Sequence, residues 1–223
     1  MNYQAIFFDF DGVLVESEQL KVDAFRELYS EHSDAVIDRV VTYHRAHAGI
    51  SRVVKIAHAH KAFLNIDLTP EALDVLCRRY SAIVEQKVID CDSVDGALAF
   101  LIRAAGTIKS FVVSGTPEDE LIRITDQRGI SGYFDGIYGS PRKKEDIVEG
   151  LLTDHGLTAD QCLFIGDSMT DYNAATAHRM PFLGRLHNGQ ENPFPEATRT
   201  VPDMSTLGRI VGLNSPEDNP DDR

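Results

Sequence analysis

Two carboxylates near the amino terminus have the type and spacing of a metal-dependent site. Asp9 and Asp11 stand two residues apart, after the apolar residues 5–8 and before Gly12. Four apolar residues are too few for an amphipathic helix and suit a strand buried on both faces. Two like charges crowded at the end of a buried strand repel each other, so the pair predicts a bound divalent cation with oxygen ligands. For this segment alone, an ordinary strand-ending turn is an open alternative.

Three more polar clusters follow predicted strands. In an open parallel sheet, ligands bind at the carboxyl ends of the strands. Taken singly, each cluster has a structural alternative: a turn cap, a solvated lysine or a helix N-cap. The clusters are Ser114 with Gly115 after a strand at 108–113, Lys144 after a strand at 134–139, and Gly166, Asp167 and Asp171 after a strand at 162–165.

The order of the predicted elements indicates an α/β fold with two parts. Strands that alternate with helices predict a Rossmann-like parallel sheet with helices on both faces. Residues 16–91 instead show apolar residues at helical spacing without a strand signal, so we expect a helical insertion there, which we call the cap. The predicted core is 1–15 and 92–213, and the polar residues 214–223 are expected to be disordered. Thr116 and Asp119 have the spacing of a capping box around Pro117, which predicts that a helix begins there.

Composition excludes several function classes. The chain has 223 residues, with 22 Lys and Arg against 35 Asp and Glu, for a formal charge of −13. This charge argues against binding to nucleic acid polymers or anionic membranes. The three cysteines are widely spaced and form no CxxC pair, which favours a reducing cytoplasm. No apolar run approaches the roughly 18 residues of a membrane helix.

Together the four clusters resemble the motifs of the haloacid dehalogenase (HAD) superfamily. The matching residues are Asp9-Phe10-Asp11-Gly12, Ser114, Lys144, and Gly166-Asp167 with Asp171. The resemblance spans nearly the whole core, and the insertion is similar to the small helical cap of that family, as in phosphoglycolate phosphatases and β-phosphoglucomutases. It implies that Asp9 attacks phosphorus and that Asp11 serves as general acid and then as general base.

The resemblance also implies a magnesium site and a phosphate site. Mg²⁺ would be held by Asp9, the backbone carbonyl of Asp11, and Asp167, with Asp171 either ligating or holding a metal-bound water. Ser114 and the backbone N–H groups near Gly115 would bind the phosphoryl oxygens. Lys144 would neutralise the nucleophile and the transferring group, and Lys143 is the alternative if the register shifts by one. The carboxylate of Asp11 favours phosphate-ester chemistry over dehalogenation, because the dehalogenases of the superfamily lack a carboxylate at this position. Glu16 departs from the Asp that is frequent in the family.

Within the cap, the most polar stretch is centred on Gly49. It contains Arg45, Gly49, Ile50, Ser51, Arg52 and Lys55. We expect Ser51 and Arg52 to contact the rest of the substrate, with an N-cap serine beside solvated basic residues as the alternative. Four cap histidines, namely His44, His47, His58 and His60, lack a carboxylate or cysteine to complete a zinc site, so we expect packed or solvated roles.

These observations predict a Mg²⁺-dependent phosphatase of a small-molecule monoester, such as a sugar phosphate, a phosphoglycolate-like acid or a nucleotide. Two rivals stay open. A phosphomutase of the same fold would pass the phosphoryl group to a sugar hydroxyl instead of water. A noncatalytic phosphate-binding protein would keep the fold without turnover. The sequence leaves monomer and dimer equally open.

Overall fold

The computed structural model describes residues 3–187 and 189–213. Its centre is a six-stranded sheet in which all the paired strands are parallel, in the order β3-β2-β1-β4-β5-β6. The predicted α/β fold class is therefore confirmed. The strands are β1 (Ala5–Phe8), β2 (Lys109–Pro117), β3 (Gly136–Ser140), β4 (Cys162–Gly166), β5 (Phe182–Arg185) and β6 (Thr200–Val201).

The first strand lies at the centre of the sheet and is buried on both faces. Ala5 pairs with Lys109 of β2 on one side and with Cys162 of β4 on the other. Side chains alternate between the faces of a strand. Ile6 and Phe8 accordingly belong to one apolar cluster, and Ala5 and Phe7 belong to a second. The carboxyl end of β1, where Asp9 follows, is therefore held by core packing on both faces.

Helices of the core connect these strands and cover the sheet. Their bounds are α5 (Ala97–Ala104), α6 (Glu118–Gln127), α7 (Lys144–Asp154), α8 (Met169–Ala177) and α9 (Leu207–Val211). Short 3₁₀ turns at Ser131–Tyr133 and Ala159–Gln161 complete the connections. None of the described helices combines the length and apolar character needed to cross a bilayer.

The cap contains four α-helices, as the apolar spacing predicts. They are α1 (Glu18–Leu28), α2 (Asp34–Ala46), α3 (Arg52–Ala59), which continues as a π-helical turn over His60–Leu64, and α4 (Pro70–Asp90). The two connections to the core lie side by side, because Val15 forms an antiparallel bridge with Ser93. The domain limits at 15/16 and 91/92 stay a prediction, which this bridge supports. The disorder expected for 214–223 lies outside the described residues.

The predicted start of α6 is wrong by one residue, because the helix begins at Glu118 and not at Pro117. Strand β2 runs on through Pro117, and α6 begins at Glu118 with no side-chain cap. The Thr116 hydroxyl does not cap the helix, because it donates instead to Asp11 at 2.8 Å. A tertiary hydrogen bond to Asp11, in the loop that follows β1 and that we call the catalytic loop, has thus replaced the local one that the spacing suggested.

Candidate active site

Lys144 joins two carboxylates from different elements, Asp9 after β1 and Asp171 in the first turn of α8. Its ammonium lies 3.0 Å from Asp9 Oδ2 and 2.6 Å from Asp171 Oδ1. All three side chains are buried. Burial alone would lower the pKa of Lys144, but the Asp171 and Asp9 charges raise it, so the side chain stays charged. Lys143 is exposed, so the structure brings Lys144 and not its neighbour to Asp9.

Asp9, Asp167 and Asp171 form a buried acidic cluster. One carboxylate oxygen from each lies within 4.8 Å of the others. Burial raises the pKa of Asp9 to about 7, with Asp171 adding to the rise and Lys144 opposing it. Burial, together with the Asp9 and Glu18 charges, raises the pKa of Asp167 well above its ordinary value. Desolvated carboxylates that repel one another fit a hard divalent cation with oxygen ligands, so this donor set suits Mg²⁺.

Asp171 is also bound to the start of its own helix. Its Oδ2 accepts hydrogen bonds from the Ser168 hydroxyl at 2.6 Å and from the Ser168 N–H at 3.1 Å, forming a capping box for α8. Its other oxygen accepts from Lys144. These contacts fix Asp171 as an anchor for the lysine, whether or not it also ligates a cation.

The side chain of Asp11 is surrounded by three donors. Its Oδ1 accepts from the Ser17 hydroxyl at 2.6 Å, and its Oδ2 accepts from the Thr116 hydroxyl and forms an ion pair with Lys21. Burial would raise the pKa of Asp11, but Lys21 and these hydroxyls hold it below its ordinary value. The Asp11 carboxylate is thus fixed in position beside Asp9 without being part of the acidic cluster.

Ser114 lies at the same end of the sheet with its hydroxyl hydrogen available. The Ser114 Oγ accepts from the Thr116 N–H at 3.1 Å, so the hydroxyl can donate to a phosphoryl oxygen. That bond uses the Thr116 N–H and leaves Gly115 as the backbone donor that we expect to bind phosphate. A Cβ at Gly115 would lie 2.4 Å from the carbonyl oxygen of Gly49. The loop between α2 and α3, which we call the cap loop, therefore contacts the segment of Ser114 and Gly115, which we call the phosphate loop. The cap is thus closed over this end of the sheet.

Other contacts fasten the same cap loop to the core. The Thr170 hydroxyl donates to the Ala48 carbonyl at 2.9 Å, and the Ser51 hydroxyl lies 3.4 Å from that of Ser140. Gly49 has φ +78°, a backbone conformation that L side chains rarely adopt. Gly49 thus turns the chain down onto the carboxyl end of the sheet, against Gly115 and Thr170.

Arg52 is buried and committed to a partner from the core. Its guanidinium donates to both Glu120 oxygens, at 2.8 and 2.5 Å, and to the Ser81 hydroxyl at 2.6 Å. The guanidinium also lies over the Tyr80 ring, 4.7 Å from its centroid. Arg52 lines the catalytic cavity as the sequence suggests, but Glu120 already balances its charge.

A cavity of about 590 Å³ opens over these groups, between the cap and the core. Cations of the cap enter its wall opposite the carboxylates of the core. Its polar lining includes Asp9, Asp11, Lys21, His44, Arg45, Arg52, Lys55, Ser114, Gly115, Asp167 and His187.

The four histidines considered for a zinc site, His44, His47, His58 and His60, are each packed against or hydrogen-bonded to another cap residue. His44 contacts Lys55, and His60 hydrogen-bonds to Tyr29 at 3.0 Å. His47 and His58 both stack on Tyr43, with ring centroids 4.0 and 3.9 Å away.

Sequence reasoning missed several residues that position the site. Lys21 carries no motif, although it stands four residues after Ser17, a spacing that puts both on one face of α1. Arg185 is buried and donates to the Gly12 carbonyl at 2.8 Å and to both oxygens of Glu16, at 2.6 and 3.0 Å. Glu16, the departure from the family pattern, therefore fastens the catalytic loop to β5. No local pattern indicated either partner.

Comparisons with known proteins agree with this geometry. The profile of the haloacid dehalogenase-like hydrolase family matches residues 6–184. The phosphoglycolate phosphatase of Rhodospirillum rubrum is 26% identical over 96% of this chain and 92% of its own length. That of Vibrio cholerae is 30% identical over 78% of this chain and 80% of its own.

A solved structure supports the fold. The β-phosphoglucomutase of Clostridium difficile superposes with a TM-score of 0.73 at 20% identity, covering 92% of this chain and 93% of that one. At this identity the likeness concerns the fold alone. With the family profile matching most of the chain, and with the motif residues gathered at one end of the sheet, the protein belongs to the haloacid dehalogenase-like hydrolase family.

Proposed function

We propose that the protein is a Mg²⁺-dependent phosphatase that hydrolyses a small-molecule phosphate monoester through an aspartyl-phosphate at Asp9. The observation that carries the proposal is the contact of Lys144 with Asp9 and Asp171 beside Asp167. The similarity to phosphoglycolate phosphatases supports a small phosphorylated acid among the possible substrates.

In the first step, an Asp9 oxygen attacks phosphorus and the bond from phosphorus to the ester oxygen breaks. Asp11 gives its proton to the departing alkoxide. Lys144 offsets the negative charge that would otherwise keep two anions apart. Ser114 and the Gly115 N–H hold the phosphoryl oxygens in line with Asp9.

In the second step, water attacks the phosphoryl group and the bond to Asp9 breaks. The Asp11 carboxylate takes the proton from this water. Lys21 and Thr116 favour that carboxylate form and keep it pointed at the reaction. The first step therefore uses the minor, protonated form of Asp11.

The acidic cluster is our proposed magnesium site, with Asp9 and Asp167 as ligands, the Asp11 carbonyl as a third, and Asp171 as a ligand or as the holder of a metal-bound water. When bound, Mg²⁺ supplies charge neutralisation for the phosphoryl group. Ser51 and Arg52 are our proposed cap contacts for the remainder of the substrate. Since Glu120 balances the charge of Arg52, that side chain serves as a fixed hydrogen-bonding wall rather than as a counter-charge.

The test is a phosphate-release screen of sugar phosphates, nucleotides and small phospho-acids, run with Mg²⁺ and again with a chelator. We expect Mg²⁺-dependent release that is absent in Asp9→Asn. Release that persists in Asp9→Asn would rule out the nucleophile. Transfer to a sugar hydroxyl that depends on a bisphosphate activator would favour the mutase, and ligand binding without any turnover would favour the noncatalytic alternative.

A further inference from the structure

One buried cation of the cavity has no acidic partner. The buried cations among the described residues are Arg52, Lys55, Lys144 and Arg185. Three of these four are ion-paired, to carboxylates from other elements of the fold. Across the described residues, no carboxylate pairs with the ammonium of Lys55.

The contacts of Lys55 are both to His44, and neither neutralises it. Its Nζ lies 2.9 Å from His44 Nδ1 and 3.5 Å from the His44 carbonyl oxygen. Burial, and then the charge of Lys55 itself, lower the pKa of His44 to about 2. The imidazole is therefore neutral, and its Nδ1 accepts a hydrogen bond from the ammonium. His44 thus orients Lys55 without offsetting its charge.

Lys55 also lines the cavity that opens over the proposed catalytic groups. It stands three residues after Arg52 on α3, and both side chains line the cavity that contains Asp9 and Ser114. A buried ammonium without a counter-charge is destabilising. Burial, with the nearby Lys21 charge, correspondingly lowers the pKa of Lys55 to about 7. An anion that entered the cavity would supply the missing charge.

The other buried cation of the cap, Arg52, already has an acidic partner. Glu120 takes both terminal nitrogens of Arg52. Lys21 in turn is paired with Asp11. Among the buried cations of the cap, Lys55 is therefore the one whose charge is still to be matched by a ligand.

We propose that Lys55 binds a second anionic group of the substrate, a carboxylate or a second phosphate, while Asp9, Ser114 and Lys144 engage the phosphate that is removed. The position of that first phosphate rests on the proposed function. Lys55 is then the residue that makes the enzyme prefer phosphate esters with a second anionic group, namely phosphorylated carboxylic acids or bisphosphates, over esters whose remainder is uncharged.

Equilibrium binding tests this preference without turnover. Full-length Asp9→Asn protein with Mg²⁺ is titrated by calorimetry with 2-phosphoglycolate, with the bisphosphate of 1,3-propanediol, and with ethyl phosphate. Ethyl phosphate is the matched control, because it carries the same phosphate group on an uncharged remainder. We expect at least one anionic ligand to bind about tenfold or more tightly than ethyl phosphate, the scale of one charged hydrogen bond. The arm with the larger preference identifies carboxylate or phosphate as the second group.

Substitution then assigns the preference to Lys55. In the same background, Lys55→Met is expected to reduce the preference to under about threefold, and Lys55→Arg to restore most of it. Lys61→Met is the matched control, because Lys61 lies in the same helical segment but is exposed and paired with Asp67. Equal preference in Lys55→Met and its parent, or no preference in the parent, would overturn the proposal.

A separate assay keeps the two proposals distinguishable. Phosphate release from p-nitrophenyl phosphate is measured with Asp9 intact. Phosphate release, combined with no Lys55-dependent preference in the calorimetry, would support the phosphatase and reject the anion site. A Lys55-dependent preference without release from any ester would retain the anion site and reject the phosphatase.

Discussion

Arg52 of the cap and Glu120 of the core form a bidentate ion pair, with nitrogen–oxygen distances of 2.8 and 2.5 Å, and both side chains are buried. The Ser81 hydroxyl contacts both partners at 2.6 Å. Because Glu120 lies on the helix that follows the Ser114 strand, the pair connects the cap to the element that carries the phosphate loop. The pair also explains how a cap arginine can lie buried in the wall of the cavity without presenting an unbalanced charge.

Removing Glu120 should be costly, because it leaves a buried guanidinium without a counter-charge. We expect Glu120→Ala to lower the free energy of unfolding by about 3–5 kcal/mol. Chemical denaturation followed by circular dichroism measures this change. The matched control is Glu85→Ala, which breaks a more exposed pair that also joins the cap to α6, through Arg123, and should cost about 0.2–1 kcal/mol. Equal losses in the two variants would contradict a special role for the buried pair.

Asp11→Asn should remove proton transfer but keep the shape of the site. We expect kcat for an alkyl phosphate to fall about 100- to 10,000-fold. An ester with a good leaving group, such as p-nitrophenyl phosphate, needs no proton in the first step, so formation of the phosphoenzyme from it should be slowed much less. Rapid-quench measurement of the nitrophenol burst separates the two steps. An equal slowing of the burst and of alkyl ester hydrolysis would reject Asp11 as the general acid.

Gly115→Ala should prevent the cap loop from closing. The new Cβ would lie 2.4 Å from the Gly49 carbonyl oxygen, and neither backbone can yield without moving the loop. We expect kcat/KM to fall about 10- to 100-fold, since a displacement on the order of 1 Å is enough for such a loss. Gly132→Ala is the control, because an added Cβ there meets no atom within 4 Å. Unchanged kinetics in Gly115→Ala would show that this contact is absent during turnover.

Magnesium should bind more tightly as the pH rises. Asp9 has a pKa of about 7, and the pKa of Asp167 is raised as well, so below neutral pH the cation must displace protons. We expect the Kd for Mg²⁺ from calorimetry to fall as the pH rises from 5.5 to 7, by up to about tenfold per pH unit for each proton that the cation displaces. Asp9→Asn should flatten this dependence. Affinity that is constant or weaker at higher pH would contradict the placement of the cation at this cluster.

The residues that follow strands could be predicted, because topology brings the ends of parallel strands together. Asp9 and Asp167 follow buried strands, and Ser114 lies near the carboxyl end of β2, so their convergence at one edge of the sheet follows from the order of the elements. The cap helices were likewise visible in their apolar spacing. These features depend on local pattern and on chain order.

The partners that tune the site could not be predicted in the same way. Arg52 and Glu120 are 68 residues apart, and Lys21 and Thr116 are 95 apart, so no local spacing connects them. Thr116 shows the difficulty, because its local capping signal was overridden by a hydrogen bond to Asp11. Contacts between cap and core depend on how two separately patterned units fit together.

Phosphorylation of Asp9 during turnover is the step on which the proposed mechanism depends. It is tested by mixing the enzyme with Mg²⁺ and its best ester from the screen, quenching in acid, and reducing with borohydride, which converts an aspartyl-phosphate to homoserine. Peptide mass spectrometry then locates the product. Homoserine at position 9, absent in Asp9→Asn and in protein without substrate, is the predicted result. Turnover with no modification at position 9, or with modification at another carboxylate, would contradict the account.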